Sequence, residues 1–387
     1  MRIVYYSQSF FADCDFPLIR ELQQKGFDIR YFMPMPSGRK KQSIIDIKNL
    51  KKWFGVYKAS DYPEFSIYKD YIDLDKIFLL NIPDGKRRFL YKLYWKWFFL
   101  KIWLMKPDVF HFTWQLGNTD ENEKIFYKLP CKKTMTVHDP LSHSSVVSEL
   151  EEQQRVQAFD NSSHFMLLSD VLANDFCMKY SVNKTAVSCS HMGEFSHLRY
   201  IKTSQIEYKY PYILFFGQIS SYKGVEYLCE AMVMIHKKHP DVHLVIAGRG
   251  EIYFDYIQYE KLEYIHFKNE YLAISDISTL LNNSLFAVCP YKDATQSGVV
   301  QTAFSCNTPM IVTNVGALPK AVQDGVTGLV VSPCNSEELA GAMDKILSNP
   351  LMLTTFRDNI EKVWRPTMDW EEIADKYIEM WKESIKK

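Results

Sequence analysis

Apolar positions along this chain fall into short runs separated by longer stretches of helical spacing. Runs at 3–6 and 28–32 flank a helical pattern over 16–25 that stops at Gly26, where a helix C-cap is expected. Further runs at 106–112, 133–138 and 164–169 each follow a helical stretch. The second half repeats the rhythm, with strands expected near 213–217, 242–247, 264–267, 285–289, 310–313 and 329–331. Short buried strands alternating with helices predict parallel sheets covered on both faces, an α/β chain of two Rossmann-like doubly wound domains. The segment 201–212, IKTSQIEYKYPY, is polar and charged, so the domains are expected to divide at 205/206. The first domain is then 1–205 and the second 206–365. In the tail 366–387, Trp370, Ile373, Tyr377 and Trp381 share one face of an expected amphipathic helix.

Length supports the division, since 387 residues exceed one core of ordinary size. A hydrophobic share of 47% against 24% charged residues excludes a disordered or fibrous chain. Zero formal net charge argues against a wholly nucleic-acid-binding surface. The eight cysteines show no Cys-x-x-Cys pair and no zinc spacing, which fits a reducing cytoplasm without structural metal. The first eleven residues, MRIVYYSQSFF, suit a buried strand better than a signal peptide, and no run reaches membrane-spanning length. A cytoplasmic location is expected, with any membrane contact peripheral, on the inner face.

Candidate chemistry concentrates in residues 289–333. A strand into Cys289, a small-residue turn over 293–298, a helix from about Val299 and a strand at 310–313 form a βαβ unit. Unpaired N–H groups and the macrodipole at such a helix start suit the turn Thr295, Gln296, Ser297 and Gly298 to a phosphate.

With GQISSYKGVEYLCEA at 217–231 and LVIAGRGE at 244–251, this unit resembles the C-terminal half of retaining GT-B glycosyltransferases of family four, also called group 1. The Ala-Thr-Gln-Ser-Gly-Val loop at 294–299 is similar to that of a subset of the family. The resemblance implies transfer of a hexose-type sugar from a nucleoside diphosphate sugar to a saccharide, lipid-linked, in bacterial surface polysaccharide synthesis. It implies two Rossmann-like domains facing a central cleft, with the last helix packing back on the N-terminal acceptor domain. It implies no metal and no cofactor, the nucleotide-sugar being a substrate.

Lys223 falls on the lysine of the family's basic pair, which neutralises the departing diphosphate, and follows the strand ending at Gly217. The arginine partner is replaced by Gln218, a neutral amide, so Gln296, Ser297 and the amide of Gly298 are the compensating donors. The two glutamates common in the family fall at Ala294 and Thr302. Asp293 is a displaced acid, Thr295 and Thr302 offer hydroxyls, and Glu270 and Tyr271 are weaker candidates beside the base. His138, ending its strand before Asp139, resembles the family's cleft histidine beside the donor sugar; His143 and His191 are weaker acceptor-side candidates. The alternative that the absent glutamates and Gln218 leave open is a catalytically silent GT-B subunit that binds saccharide or a partner enzyme. An epimerase or phosphorylase on the same scaffold has no motif here.

One segment stands outside this site. Residues 86–106, KRRFLYKLYWKWFFLKIWLMK, interleave basic and aromatic residues, with Arg88, Lys92 and Lys96 four apart. An anionic membrane surface and an aromatic core helix with a basic edge both fit it. Nucleic acid does not, since no binding module accompanies the patch.

Overall fold

The computed structural model describes residues 1–36, 41–42, 45–47, 53–83, 88–114, 125–138, 140, 149–201, 208–294 and 298–386. Two units emerge from the contacts, Met1–Gly193 with Asp369–Lys387, and Glu194–Met368. The line falls at Gly193, ahead of the expected 205/206, because residues just beyond it are held by the second unit. Buried Glu194 pairs with Arg365 at 2.9 Å, and the Phe195 amide donates to Ser305 Oγ at 2.9 Å.

The first unit contains β1 (Arg2–Tyr6), β2 (Asp28–Pro36), the short pair β3 (Lys41–Gln42) and β4 (Ile45–Asp46), β5 (Gly55–Lys58), β6 (Ile77–Ile82), β7 (Val109–Phe112), β8 (Lys132–Val137), β9 (His164–Leu167) and β10 (Val187–Cys189). Its sheet runs β10-β9-β8-β7-β1-β2-β6-β5, parallel throughout except for β5 against β6. The second unit holds β11 (Tyr212–Phe216), β12 (His243–Ala247), β13 (Ile265–Lys268), β14 (Ala287–Cys289), β15 (Met310–Thr313) and β16 (Gly328–Val331). They run β13-β12-β11-β14-β15-β16, all parallel. Every residue of β7, β9, β11, β14 and β15 is buried, as helices on both faces require.

The expected strands of the second half all appear, shifted by two residues at most. In the first half the helix expected over 16–25 spans Ala12–Gln24, opening directly from the 3-10 turn Ser9–Phe11. Gly26 takes φ 81°, and the Phe27 amide bonds back to the Leu22 carbonyl at 3.0 Å, closing the helix in a Schellman turn. Strands β5, β6 and β10 were not anticipated; β10 has only three residues, and β6 (IFLLNI) has no alternation to mark it.

The helix Trp370–Lys386 contacts β8, β9, β10 and the helix Ala12–Gln24. Beneath it lies a buried polar chain. The Trp381 indole N–H points at Thr134 Oγ1 at 3.2 Å and His111 Nδ1 at 3.3 Å, and the two ring nitrogens of His111 bond to Thr134 Oγ1 and Thr136 Oγ1 at 2.9 Å each. Burial pulls the His111 imidazolium down to about 3, leaving the ring neutral. Asp15, also buried, accepts from Tyr5 at 2.8 Å and Tyr31 at 3.0 Å, and burial outweighs these bonds to raise its carboxyl to about 7.

Two outcomes follow from this layer. Trp381→Ala removes a fully buried indole and should cost about 3–5 kcal/mol in urea unfolding. Asp15 binds its proton more tightly folded than unfolded, so its contribution is full below about 3.8 and declines as pH rises to about 7. Asp15→Asn abolishes that decline, and its stability relative to the parent chain should grow from pH 4 to 7 in urea melts, then level off.

Candidate functional site

In the second unit, β11 pairs with β12 on one side and β14 on the other, so the connections after β11 and β14 leave in opposite directions. The gap at their C-terminal ends is the switch point where open α/β sheets receive ligands. Three loops meet there. Gly224, at φ 63°, lies so close to the β14 loop that a Cβ would stand 2.0 Å from the Pro290 carbonyl oxygen. Gly248, at φ 145°, lies equally close to the Gly217 carbonyl, pressing the β12 loop against the β11 loop. Only glycine permits both approaches.

Lys223 sits in the turn Ser221–Lys223, directly before the helix Val225–His236. The expectation was a loop cation free to swing toward a diphosphate. Instead it is 8% exposed, donates to the Tyr291 hydroxyl and lies 3.7 Å from that ring's centroid, with the Tyr222 ring 4.9 Å away. A cation held over two aromatic faces is attracted by their quadrupoles while its outer donors stay available. Ser220 Oγ beside it is buried without a hydrogen-bond partner among the described residues.

The β14 loop is fastened to this turn through residues with no role in the sequence reading. Lys292 N donates to the Tyr222 carbonyl at 2.8 Å, and its ammonium pairs with Glu226 at 2.9 Å. Glu226 also accepts from the Tyr253 hydroxyl, which itself receives the Val225 amide at 3.0 Å. Tyr291, Lys292, Glu226 and Tyr253 carry no motif, since their pairing spans up to 66 residues of sequence.

Gln218 is exposed, and the parallel register continues past the strands. Phe216 pairs with Ala247 and Ile219 with Gly250, which sets Gln218 level with Arg249 on the neighbouring strand end. Arg249 is exposed, and it lies in the quoted GRGE segment without having drawn a role.

Gly298 opens the helix Gly298–Ser305. Thr295, Gln296 and Ser297 lie outside the described residues, as does His143. The Thr302 hydroxyl is engaged by its own helix, donating to the Gly298 carbonyl at 2.7 Å. Asp293 is exposed. Glu270, on the β13 loop, pairs with Lys268 at 3.5 Å, and Tyr271 follows it half-buried. Among the described residues no three His, Cys, Asp or Glu side chains gather as a metal site.

The first unit has its own switch point between β1 and β7, where Ser7 and Thr113 hydroxyls lie 2.6 Å apart. One strand further, His138 follows β8, stacked on Phe11 with centroids 3.7 Å apart and planes 7° from parallel. Burial lowers its imidazolium to about 4, so the ring is neutral at physiological pH, and its Nε2 has no partner among the described residues. Phe10 and Trp114, 45% and 41% exposed, meet edge to face beside it. His191 follows β10, half-buried, apart from this cluster in the strand order.

Residues 210–349 match the family described as glycosyl transferases group 1. A glycosyltransferase of Methanocaldococcus jannaschii, described as uncharacterized, is 28% identical over 177 residues, 44% of each chain. The alpha-D-kanosaminyltransferase of Streptomyces kanamyceticus is 27% identical over 155 residues, 38% of this chain and 39% of that one. The match thus spans less than half the length of these curated relatives. Among solved structures, HepE of Anabaena in complex with UDP aligns over 99% of this chain and 100% of its own, with a TM-score of 0.62 at 15% identity. That likeness concerns the fold, which is GT-B with two Rossmann-like units.

Proposed function

We propose that this chain transfers a hexose-type sugar, with retention of configuration, from a nucleoside diphosphate sugar to a saccharide, lipid-linked, in bacterial surface polysaccharide synthesis. The observation that carries the donor side is the convergence of Lys223, Arg249 and the helix start at Gly298 on one switch point, within the segment that matches the glycosyltransferase family. Lys223 meets the departing diphosphate from its aromatic seat. Arg249 stands level with Gln218 and supplies, from the adjacent strand end, the second positive charge that the β11 loop lacks. The helix amides at Gly298 add donors that need no reorganisation as charge develops.

Retention follows without a protein nucleophile if the departing phosphate takes the acceptor's proton; the chain then supplies position and charge stabilisation. Its own cations meet the diphosphate, so metal and cofactor have no required part. His138, neutral and with an Nε2 that has no partner among the described residues, would donate to or accept from a sugar rather than hold a charge. The second reading, a silent saccharide-binding subunit, draws on the neutral Gln218 and on Ala294 and Thr302 at the family's glutamate positions.

Calorimetry separates the two readings. Without metal, one of UDP, GDP and ADP should bind saturably, UDP being the first to try because HepE was solved with it. Lys223→Ala should weaken binding at least about tenfold and Arg249→Ala about tenfold, the loss of one charge-assisted contact each. His138→Ala should leave nucleotide affinity within about twofold while lowering transfer about a hundredfold, and EDTA should leave transfer unchanged. Failure of every nucleotide to bind a folded chain contradicts the enzyme and favours the silent subunit.

A further inference from the structure

The helix Arg88–Met105 is apolar around its circumference, yet only half of it is covered. Tyr94, Trp95, Phe98, Phe99 and Ile102 are buried in the first unit's core. On the other side Phe89 is 77% exposed, Leu93 53%, Leu100 54% and Leu104 63%, with Trp97 and Trp103 also exposed. At about 100° per residue, Phe89, Leu100, Leu93, Leu104 and Trp97 follow one another across an arc of roughly 80°. Exposed Lys96 and Lys101 stand just outside its two edges, and Lys101 Nζ lies 4.5 Å from the Trp97 ring centroid. No Asp or Glu occurs in the helix.

A continuous apolar ridge of this kind marks a surface that is covered in use. Its charge pattern selects the cover. A second copy of this chain would bring the edge lysines Lys96 and Lys101 against their counterparts with no acidic partner on the helix, an unfavourable juxtaposition. An anionic lipid surface accepts both features, taking the ridge among its acyl chains and the ammonium groups at its phosphates. A recess of about 320 Å³ beside the ridge continues this chemistry, lined by Phe32, Phe78, Phe98 and Leu104 together with Arg30 and Lys101. No described helix is long and apolar enough to cross a membrane, so the contact is in-plane.

We propose that the helix Arg88–Met105 docks this protein in the headgroup layer of an anionic bilayer, with Phe89, Leu93, Leu100 and Leu104 inserted and Lys96 and Lys101 at the phosphates. The proposal is independent of the donor chemistry and survives or fails on its own.

Flotation of the full chain with vesicles of equal parts phosphatidylglycerol and phosphatidylcholine tests it, against phosphatidylcholine alone. The chain should float with the anionic vesicles and poorly with the neutral ones. Lys96→Gln with Lys101→Gln should lower partitioning about thirtyfold, and Leu93→Gln with Leu100→Gln at least about tenfold, with circular dichroism unchanged. Phosphatidylcholine brominated in its acyl chains, mixed into the anionic vesicles, gives a readout that needs no apolar-to-polar change: it should quench the tryptophan fluorescence of the intact chain, and Trp97→Phe with Trp103→Phe should remove most of that quenching. Absence of flotation at low salt, equal binding to neutral vesicles, or quenching unchanged by the tryptophan pair overturns the proposal. So does a dimer abolished by Leu93→Gln with Leu100→Gln in a chain that ignores vesicles, which would assign the ridge to a second copy.

Discussion

The parallel pairing of β11 with both β12 and β14 is the constraint on which the candidate donor site depends. It sends the connections after β11 and after β14 to opposite faces of the sheet and leaves a notch at the strand ends. Backbone contacts too close for any side chain, at Gly224 against Pro290 and at Gly248 against Gly217, then hold three loops together at that notch. Lys223, Arg249 and the helix start at Gly298 reach it from three different connections, none of which could build the site alone.

Burial decides how the charges around that notch behave. Glu226 and Lys292 satisfy each other, so the loop they join is fixed without leaving a lone ion out of water. Lys223 has no carboxylate partner among the described residues and rests instead on tyrosine faces, where attraction to the ring offsets part of its lost hydration. An arriving diphosphate would meet a cation already oriented and only partly compensated, which favours binding over rearrangement. In the first unit the same physics runs the other way: enclosed with no carboxylate partner among the described residues, His111 and His138 are held neutral.

Much of this was legible in the sequence because local patterns carried it. Strand runs, the Gly26 cap and the order of the three C-terminal motifs depend on neighbours within a few residues, and the two sheets follow from them. What escaped was set by distance or by weak local pattern. β10 is three residues long, and β6 looks like any buried run. The seat of Lys223 depends on Tyr291, 68 residues away, and the level pairing of Arg249 with Gln218 exists only once β11 and β12 are in register. The basic and aromatic segment fitted two readings, and only the packing could show that one face of the helix lies in the core while the other stands exposed.

Hydrogen exchange of the backbone amides, with and without a saturating nucleoside diphosphate, tests the central claim most directly. The account predicts slowed exchange in 217–226, 248–251 and 293–300, with the remaining strands of both sheets unchanged. Protection confined to other segments, or none at saturating nucleotide, would contradict a donor site at this switch point.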